Sequence, residues 1–304
     1  MSSPTKSVVI TGASSGIGRS SVARLVRSGW RVVATVRKLA DGAGLQSEFG
    51  PGVTPLIMDV THRESIVAAA EHVTSELAGH GLDGLVNVAG IGMVRPVEYV
   101  SSTDLRNIFE INVFGQIAVT QAFLPLIRQA RGRIVNISSV GAHIAIPFGS
   151  LINASKAAFG TFSDTLRMEL KPFGVRVSVV EPGAIKTPAV EKTLGNIEEV
   201  IHDLGPEAGA QYGDMLRRFA KRAYAQEMNG SSPDVVAAAV HHALTSPRPR
   251  IRYRVGKHAT LLPVLAATLP DWLLDALLLA MAGIPTKPCA AASASPGSLR
   301  PHAI

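Results

Sequence analysis

The sequence predicts an α/β protein with a doubly wound, Rossmann-type parallel sheet in a single domain. Apolar runs of strand length alternate with longer amphipathic runs along most of the chain. The apolar runs are continuous, as expected for strands that are buried on both faces of a sheet. The first of them leads into a glycine-rich turn of the kind that joins a strand to a helix in dinucleotide-binding folds. Such βαβ units, with right-handed crossovers, build a parallel sheet that helices cover on both sides.

These patterns also predict the order of the elements. Strands are predicted at Val8 to Ile10, Val32 to Thr35, Val53 to Met58, Leu85 to Val88, Ile134 to Ile137 and Val175 to Val180. Helices are predicted at Arg19 to Ser28, Arg63 to Ala78, Thr103 to Ala130 and Ala154 to Phe173. A last helix, Pro233 to Leu244, and a last strand, Ile251 to Val255, complete the sheet.

The glycine-rich turn between the first strand and the first helix predicts an anion site. Its three glycines allow a sharp turn in which backbone N–H groups and the positive end of the helix dipole face outward. The anion expected there is the pyrophosphate of a dinucleotide. The residues predicted to hold it are Gly12, Ser14, Ser15, Gly16, Ile17 and Gly18.

Composition limits the other classes of function. Of the 304 residues, 46% are hydrophobic and 17% are charged, which is enough for one large domain, predicted at residues 1–284. The single cysteine, Cys289, excludes an internal disulfide framework and fits a reducing compartment. A cytoplasmic protein is expected, because no apolar signal segment begins the chain. The net charge of +7 does not predict nucleic-acid binding, because the basic residues are scattered. No metal site is expected, because the histidines lack ligand spacing.

Two segments interrupt the alternation of strands and helices. The charged insertion at 187–230 follows a strand end, where open α/β sheets bind ligands, and is predicted to be a substrate lid. The apolar segment at 261–284 is broken by Pro263 and Pro270 and is too short to span a bilayer. It is either a packed C-terminal helix or dimer contact, or a peripheral membrane contact. Residues 285–304, rich in Ala, Ser and Pro, are predicted to be a disordered tail.

The end of the second predicted strand indicates which nicotinamide cofactor is bound. A site for NAD(H) has an acidic residue there to bind the ribose 2′-hydroxyl. This chain has Arg37 and Lys38 instead, and a cation at this place pairs with a 2′-phosphate. The sequence therefore favours NADP(H) over NAD(H), unless the two cations only cover a solvated strand end.

Several motifs, in the same order along the chain, resemble those of the classical short-chain dehydrogenases/reductases. The turn from Thr11 to Gly18 is similar to the TGxxxGxG motif of that family, and the resemblance covers residues 5 to 255. A weaker similarity, at residues 250–255 and the apolar stretch after them, is to the retinol and hydroxysteroid dehydrogenase branch. The other matching residues are Asp59, Val60, Asn87, Val88, Ala89, Gly90, Asn112, Ser138, Ser139, Lys156, Pro182, Gly183, Ile185 and Thr187.

The resemblance implies a role for each of these positions. Asp59 and Val60 would contact the adenine, although an aspartate that caps the next helix is the competing interpretation. Cofactor contacts are also implied for Asn87, Ala89, Gly90, Lys156, Pro182, Gly183, Ile185 and Thr187. In the family, the serine at Ser139 binds the substrate oxygen, the lysine at Lys156 lowers the pKa of a catalytic tyrosine, and the asparagine at Asn112 anchors a water relay. A homodimer or homotetramer is also implied.

One position departs from the family. The catalytic tyrosine of the family lies four residues before the lysine and thirteen after the serine. Counting from Lys156 and from Ser139 leads in both cases to Ile152. Since isoleucine transfers no proton, redox turnover is expected to be severely weakened. Three explanations stay open: a dehydrogenase impaired by this substitution, a non-redox isomerase, lyase or cyclase with His143 as an acid–base candidate, and a cofactor-binding protein without catalysis.

The substrate is predicted from apolarity alone. An apolar run from Ile144 to Phe148 follows the serine, and with His143 it would line a pocket beside the nicotinamide. Bulky lipophilic alcohols or ketones, such as steroids, retinoids or polyketides, are therefore expected rather than sugars. The alternative is that this run belongs to the core.

Overall fold

The computed structural model describes residues 5–286, and its centre is one parallel sheet. Seven strands lie in the order β3-β2-β1-β4-β5-β6-β7, and every neighbouring pair is parallel. The strand order reverses between β1 and β4, which makes the crevice at their carboxyl ends a topological switch point. The predicted Rossmann-type single domain is confirmed. The strands are Ser7–Ile10 (β1), Arg31–Val36 (β2), Val53–Ile57 (β3), Gly84–Asn87 (β4), Arg133–Ile137 (β5), Arg176–Pro182 (β6) and Arg252–Val255 (β7).

Helices cover both faces of the sheet. The helices are Gly16–Arg27 (α1), Leu39–Phe49 (α2), Arg63–Leu77 (α3), Ser102–Phe109 (α4), Gly115–Ala130 (α5), Ser150–Leu170 (α6), Pro188–Val190 (α7), Ile197–Met228 (α8), Pro233–Thr245 (α9), Leu261–Thr268 (α10) and Asp271–Ala282 (α11). Val22, Leu25 and Val240 of α1 and α9 pack on one face in the first core cluster. Phe123 and Leu166 of α5 and α6 pack on the other face in a second cluster.

Helix α2 was not predicted from the sequence. It contains two glycines and little apolar periodicity, and only Gly42 and Leu45 in it are buried. Its position is set by tertiary contact, since a Cβ on Gly42 would lie 2.9 Å from Pro55 Cβ on β3. Local sequence signals are weak in such a helix because packing supplies most of its stability.

The helix predicted at 103–130 is interrupted by a π-helical turn. Helix α4 leads into the turn Glu110–Phe114, which leads directly into α5. The whole run is long and apolar enough to cross a membrane by length and composition. However, Val119, Phe123 and Ile127 are fully buried against the sheet, so this run is a core helix of the domain.

The predicted lid is helical, and the C-terminal apolar segment lies beside it. Helix α8 is broken at Gly205, where φ is 85° before Pro206. The apolar segment forms α10 and α11, which are separated at Pro270, and Ala282 of α11 joins an apolar cluster with Leu216 and Phe219 of α8. From residue 287 onward, the predicted tail lies outside the described residues.

Candidate active site

The turn between β1 and α1 has a backbone shape that only glycine fits. Gly12 has φ of +62°, and a Cβ there would lie 2.9 Å from Ala89 Cα. A Cβ on Gly18 would lie 2.1 Å from Gly12 O. The side chain of Ser15, the N-cap residue, makes no capping hydrogen bond, so it leaves the first N–H groups of α1 open to an anion.

Contacts of other glycines bring the predicted cofactor segments together at the carboxyl edge of the sheet. A Cβ on Gly16 would lie 3.3 Å from Thr187 Cβ, so the phosphate turn adjoins the loop after β6. A Cβ on Gly90 would lie 3.2 Å from Asn112 Oδ1 and 3.4 Å from Lys156 Nζ. Segments far apart in sequence therefore line one cleft.

Hydrogen bonds fix the floor of this cleft. Thr11 Oγ1 accepts the N–H groups of Val88 and Ala89 at 2.9 and 3.0 Å. Asn87 Nδ2 donates to Thr120 Oγ1 and Asn136 Oδ1, both at 2.9 Å. Asn87 Oδ1 is buried and accepts no hydrogen bond within residues 5–286. A buried acceptor of this kind needs a partner from water or a ligand.

At the other end of the cleft, Asp59 has one oxygen engaged and one available. Its Oδ1 accepts hydrogen bonds from the backbone N–H and the hydroxyl of Thr61 at 2.9 and 2.7 Å. Burial alone would raise the pKa of Asp59, but these hydrogen bonds and the nearby charges of His62 and Arg37 hold it below its usual value. The alternative that Asp59 caps α3 is wrong, because the N-cap residue of α3 is His62. Within residues 5–286 no hydrogen bond engages Asp59 Oδ2, which is available for the predicted adenine contact. Val60, beside it, is buried.

Arg37 and Lys38 are exposed where β2 ends. Arg37 is near enough to Asp59 for its charge to act on that carboxylate. Arg19, close by in the chain after the phosphate turn, is paired with Glu48. Together, the glycine turn, the available Asp59 oxygen and the two exposed cations fit a nicotinamide dinucleotide.

Lys156 is the buried cation of the site. It is 8% exposed, and its Nζ donates to Ile137 O at 3.0 Å. Burial lowers the pKa of its amine to about 8. Ser139 Oγ accepts the N–H of Gly141 at 3.0 Å, which leaves its hydroxyl hydrogen able to donate to a substrate oxygen.

The side-chain amide of Asn112 is occupied by the protein itself. It lies in the π-helical turn, a feature that is frequent at functional sites. Its Oδ1 accepts the N–H of Ile91 at 2.9 Å, and its Nδ2 donates to Ile91 O and Ser155 Oγ at 3.0 Å. Asn112 thus joins the loop after β4 to α6, and its amide positions the loop and the helix.

The tyrosine hydroxyls within the described residues form no hydrogen bond with Ser139 or Lys156. All four tyrosines lie within the described residues, and each hydroxyl has a hydrogen-bond partner elsewhere. Tyr99 donates to Gln211, Tyr212 to Glu98 and Tyr224 to Glu191. The hydroxyl of Tyr253 accepts the N–H of Arg250 and contacts His242 Nδ1.

Two of the three predicted substrate residues, His143 and Ile144, line one cavity with Ile146, while Phe148 packs against the lid. Nε2 of His143 lies 2.8 Å from Oε1 of the fully buried Glu181. Ile144 is 6% exposed and packs in a small core cluster with Leu262 of α10, as the core interpretation of this run expected. Phe148 alone reaches the lid. It has a left-handed φ of 61°, and its ring centroid lies 5.5 Å from that of Phe219.

Glu227, at the end of α8, was not predicted as a site residue. Its Oε2 accepts the N–H of Ile185, in the loop expected to hold the nicotinamide, at 3.1 Å. Burial raises the pKa of this carboxyl to about 6. No local sequence pattern marks it, because the burial arises only when the lid folds back on that loop.

The Glu227→Gln variant is expected to stabilise the protein in a pH-dependent way. Because the folded-state pKa is raised from 4.5 to about 6, ionising Glu227 costs stability progressively as pH rises through this range. Gln keeps an acceptor for the Ile185 N–H without that cost. We expect a gain on the order of 1 to 2 kcal/mol at pH 7.5 and little change at pH 4.5, measured by urea unfolding. An equal effect at both pH values would contradict this assignment.

Within residues 5–286, no group of three or more His, Cys, Asp or Glu side chains could hold a metal ion.

The fold and the cleft define the class of protein: a Rossmann-type dinucleotide-binding protein with a serine and a lysine at its site. The sequence profile of the short chain dehydrogenase family matches residues 6–198. The chain belongs to the short-chain dehydrogenase/reductase family, in its retinol and hydroxysteroid dehydrogenase branch.

Individual relatives support this placement. The chain is 37% identical over 278 residues to retinol dehydrogenase 7 of Rattus norvegicus, covering 90% of this chain and 87% of the relative. It is 36% identical over 282 residues to rat 17-beta-hydroxysteroid dehydrogenase type 6, with the same coverage of 90% and 87%.

Two solved structures share the fold. A short-chain dehydrogenase from Streptomyces avermitilis superposes with a TM-score of 0.70 at 29% identity, covering 93% of this chain and 96% of that one. The 3-ketoacyl-(acyl-carrier-protein) reductase of Brucella melitensis, complexed with NADH, gives a TM-score of 0.65 at 26% identity, covering 80% and 91%.

Proposed function

We propose that this protein is an NADP(H)-dependent oxidoreductase for bulky apolar alcohols or ketones, whose proton-transfer step is weakened by Ile152. The observation that carries the proposal is the close approach of Asn112 and Lys156 to Gly90. It joins the phosphate-side loop after β4 to Asn112 and Lys156. Such an arrangement holds a nicotinamide ribose beside a substrate-binding serine, which suits hydride transfer.

The preference for NADP(H) follows from charge. Arg37 and Lys38 are exposed at the strand end where the adenosine ribose of a dinucleotide is held. An acidic residue there would repel the 2′-phosphate, whereas a guanidinium binds phosphate with two parallel hydrogen bonds. The predicted contacts of Asp59 apply to NADP(H) and NAD(H) alike, so these two cations make the distinction.

Three residues of the chain determine how the substrate oxygen is bound and protonated. The bound nicotinamide supplies or accepts the hydride. Ser139 donates a hydrogen bond to the substrate oxygen, and the Lys156 ammonium stabilises negative charge near that oxygen. Ile152 can neither donate nor accept the proton. The reaction therefore depends on water for proton transfer, and a positioned acid or base is worth about 10²- to 10⁴-fold in rate.

An apolar substrate is supported by the lid and by the relatives. The lid contains an apolar cluster that includes Val190, Leu194 and Phe219, and Phe148 packs against it. The names of the two rat relatives specify retinol and a hydroxysteroid. We therefore assign the substrate to these lipophilic classes.

The test combines cofactor binding with turnover. NADPH and NADH are titrated against the purified chain by fluorescence, and reduction of retinal and of steroid ketones is followed by NADPH consumption. We expect tighter binding of NADPH than NADH and slow, measurable reduction. Failure to bind either nucleotide at millimolar concentration would overturn the proposal.

Helices α10 and α11 support a peripheral contact between a cytoplasmic protein and a membrane surface. Trp272 is 72% exposed and Leu261 is 52% exposed, on helices that are almost wholly apolar. We expect co-sedimentation with lipid vesicles and an at least tenfold weaker partition for Trp272→Ala, since burying a large apolar side chain is worth about 1.5 to 3 kcal/mol. Phe173→Ala, at an exposed site distant in sequence, is the control. Equal partition of both variants and the original chain would contradict the contact.

We also propose a homodimer or homotetramer. Large apolar side chains are exposed on the helical layer that contains α4 to α6, among them Phe114 and Met168. Light scattering of the purified chain measures the assembly, and a monomer at micromolar concentration would contradict it.

A further inference from the structure

A lid residue, Thr193, and Ile152 both lie beside Gly92 in the loop that follows β4. A Cβ on Gly92 would lie 2.9 Å from Thr193 Oγ1 and 3.6 Å from Ile152 Cδ1. The Thr193 side chain, whose Cγ2 would lie 3.1 Å from the same Cβ, and the methyl end of Ile152 therefore both border the space left by the missing side chain of Gly92. Three elements contribute to this arrangement: the loop after β4, the first turn of α6 and the π-helical turn Glu191–Gly195 of the lid.

The turn that carries Thr193 places its hydroxyl beside the apolar lid cluster. Its neighbours Val190 and Leu194 are buried in the lid cluster. Thr193 is half-buried, and its Oγ1 makes no hydrogen bond within residues 5–286. The α-helical threonines Thr74 and Thr268 instead donate to the carbonyl four residues earlier. A hydroxyl that no protein group engages keeps its hydrogen for a bound acceptor.

We propose that Thr193 is a substrate-positioning residue that donates a hydrogen bond to the reacting oxygen of the substrate, above Ile152. Val190 and Leu194 contact the apolar body of the same molecule. The inference depends on the proposed function and adds a specific role for the lid: it supplies a hydrogen bond on the side where Ile152 offers none. No proton is transferred from Thr193, whose hydroxyl is too weak an acid.

The proposal predicts a coupling between positions 193 and 152. Thr193→Val removes the hydroxyl and keeps the shape, whereas Thr193→Ser keeps the hydroxyl. We expect T193V to lower kcat/KM for retinal reduction about tenfold, the worth of one neutral hydrogen bond, and T193S to stay within about twofold. In the I152Y background, where a phenol reaches the same oxygen, the T193V loss is expected to shrink to less than about threefold.

Two measurements distinguish this role from packing of the lid. The Kd for NADPH is measured for every variant and is expected to be unchanged. Equilibrium binding of retinal to the NADPH complex replaces kcat/KM if the Ile152 enzyme turns over too slowly, with the same ratios expected. Equal activity and retinal binding of T193V and the original chain would overturn the inference, as would equal T193V losses in both backgrounds. If the original chain does not bind NADPH, the proposed function is overturned instead.

Discussion

Ile152→Tyr is expected to raise the rate of NADPH-dependent retinal or steroid ketone reduction by about 10²- to 10⁴-fold, the usual worth of a positioned general acid. The surrounding residues support a phenol at this position. Position 152 lies one helical turn before Lys156, whose buried amine would favour the ionised phenol. Ser139 retains a hydroxyl hydrogen for the substrate oxygen. Steady-state kinetics of the variant and the original chain measure the gain.

The matched control is Ile152→Phe. It adds the same ring without the hydroxyl, so any gain that comes from packing or from a changed pocket is seen in both variants. We expect I152F to stay within about threefold of the original chain, because it gains no acid–base group. Equal rates for the I152Y and I152F variants, with NADPH bound to both, would contradict the assignment of position 152 as the proton-transfer position.

The double variant R37A/K38A is expected to bind NADPH about 30- to 100-fold more weakly, because two charge-assisted hydrogen bonds to a phosphate are lost. Binding of NADH is expected to change less than about threefold, since it carries no 2′-phosphate. The variant should also flatten the salt dependence of NADPH binding, as screened charge pairs are removed. Isothermal titration with both nucleotides provides the comparison.

Lys171→Ala is the control for the loss of positive charge. Lys171 is exposed in the turn after α6, before the amino end of β6, and so lies at the sheet edge opposite the cofactor cleft. We expect its NADPH affinity to match that of the original chain. If R37A/K38A weakens NADH and NADPH equally, the two cations act on the protein or on the shared part of the nucleotide, and the NADP(H) preference is wrong.

Prediction from sequence worked best where a short segment determines its own backbone. The glycine turn is such a case, because Gly12 and Gly18 occupy positions where any Cβ would collide with backbone atoms. The continuous apolar runs predicted the buried strands for a similar reason. Helix α2 was missed because its contact with Pro55 of β3, rather than its own periodicity, sets its position.

The direction of a side chain depends on tertiary packing, which the sequence does not show. His143 and Ile144 line one cavity, but Ile144 also packs in a core cluster and His143 contacts Glu181, and their substrate role stays a prediction. Thr193 of a lid turn and Ile152 of α6 both approach Gly92, and neither segment alone shows this. The burial of Glu227 likewise depends on a contact between distant segments, the end of α8 and the loop that contains Ile185.

The left-handed backbone of Phe148 couples the lid to the start of helix α6. A left-handed φ costs a bulky residue about 1 kcal/mol or more, which the ring contacts with Phe219 and Tyr212 offset. Phe148 lies just before the first turn of α6, which carries Ile152. A molecule that displaces the rings of Phe219 and Tyr212 removes the contacts that offset this cost. We therefore expect the first turn of α6 to unwind more readily when such a molecule is bound. Binding of a large substrate and loosening of the first turn of α6 are then coupled. Hydrogen exchange of the backbone amides at 149–153 is expected to become faster when the substrate binds.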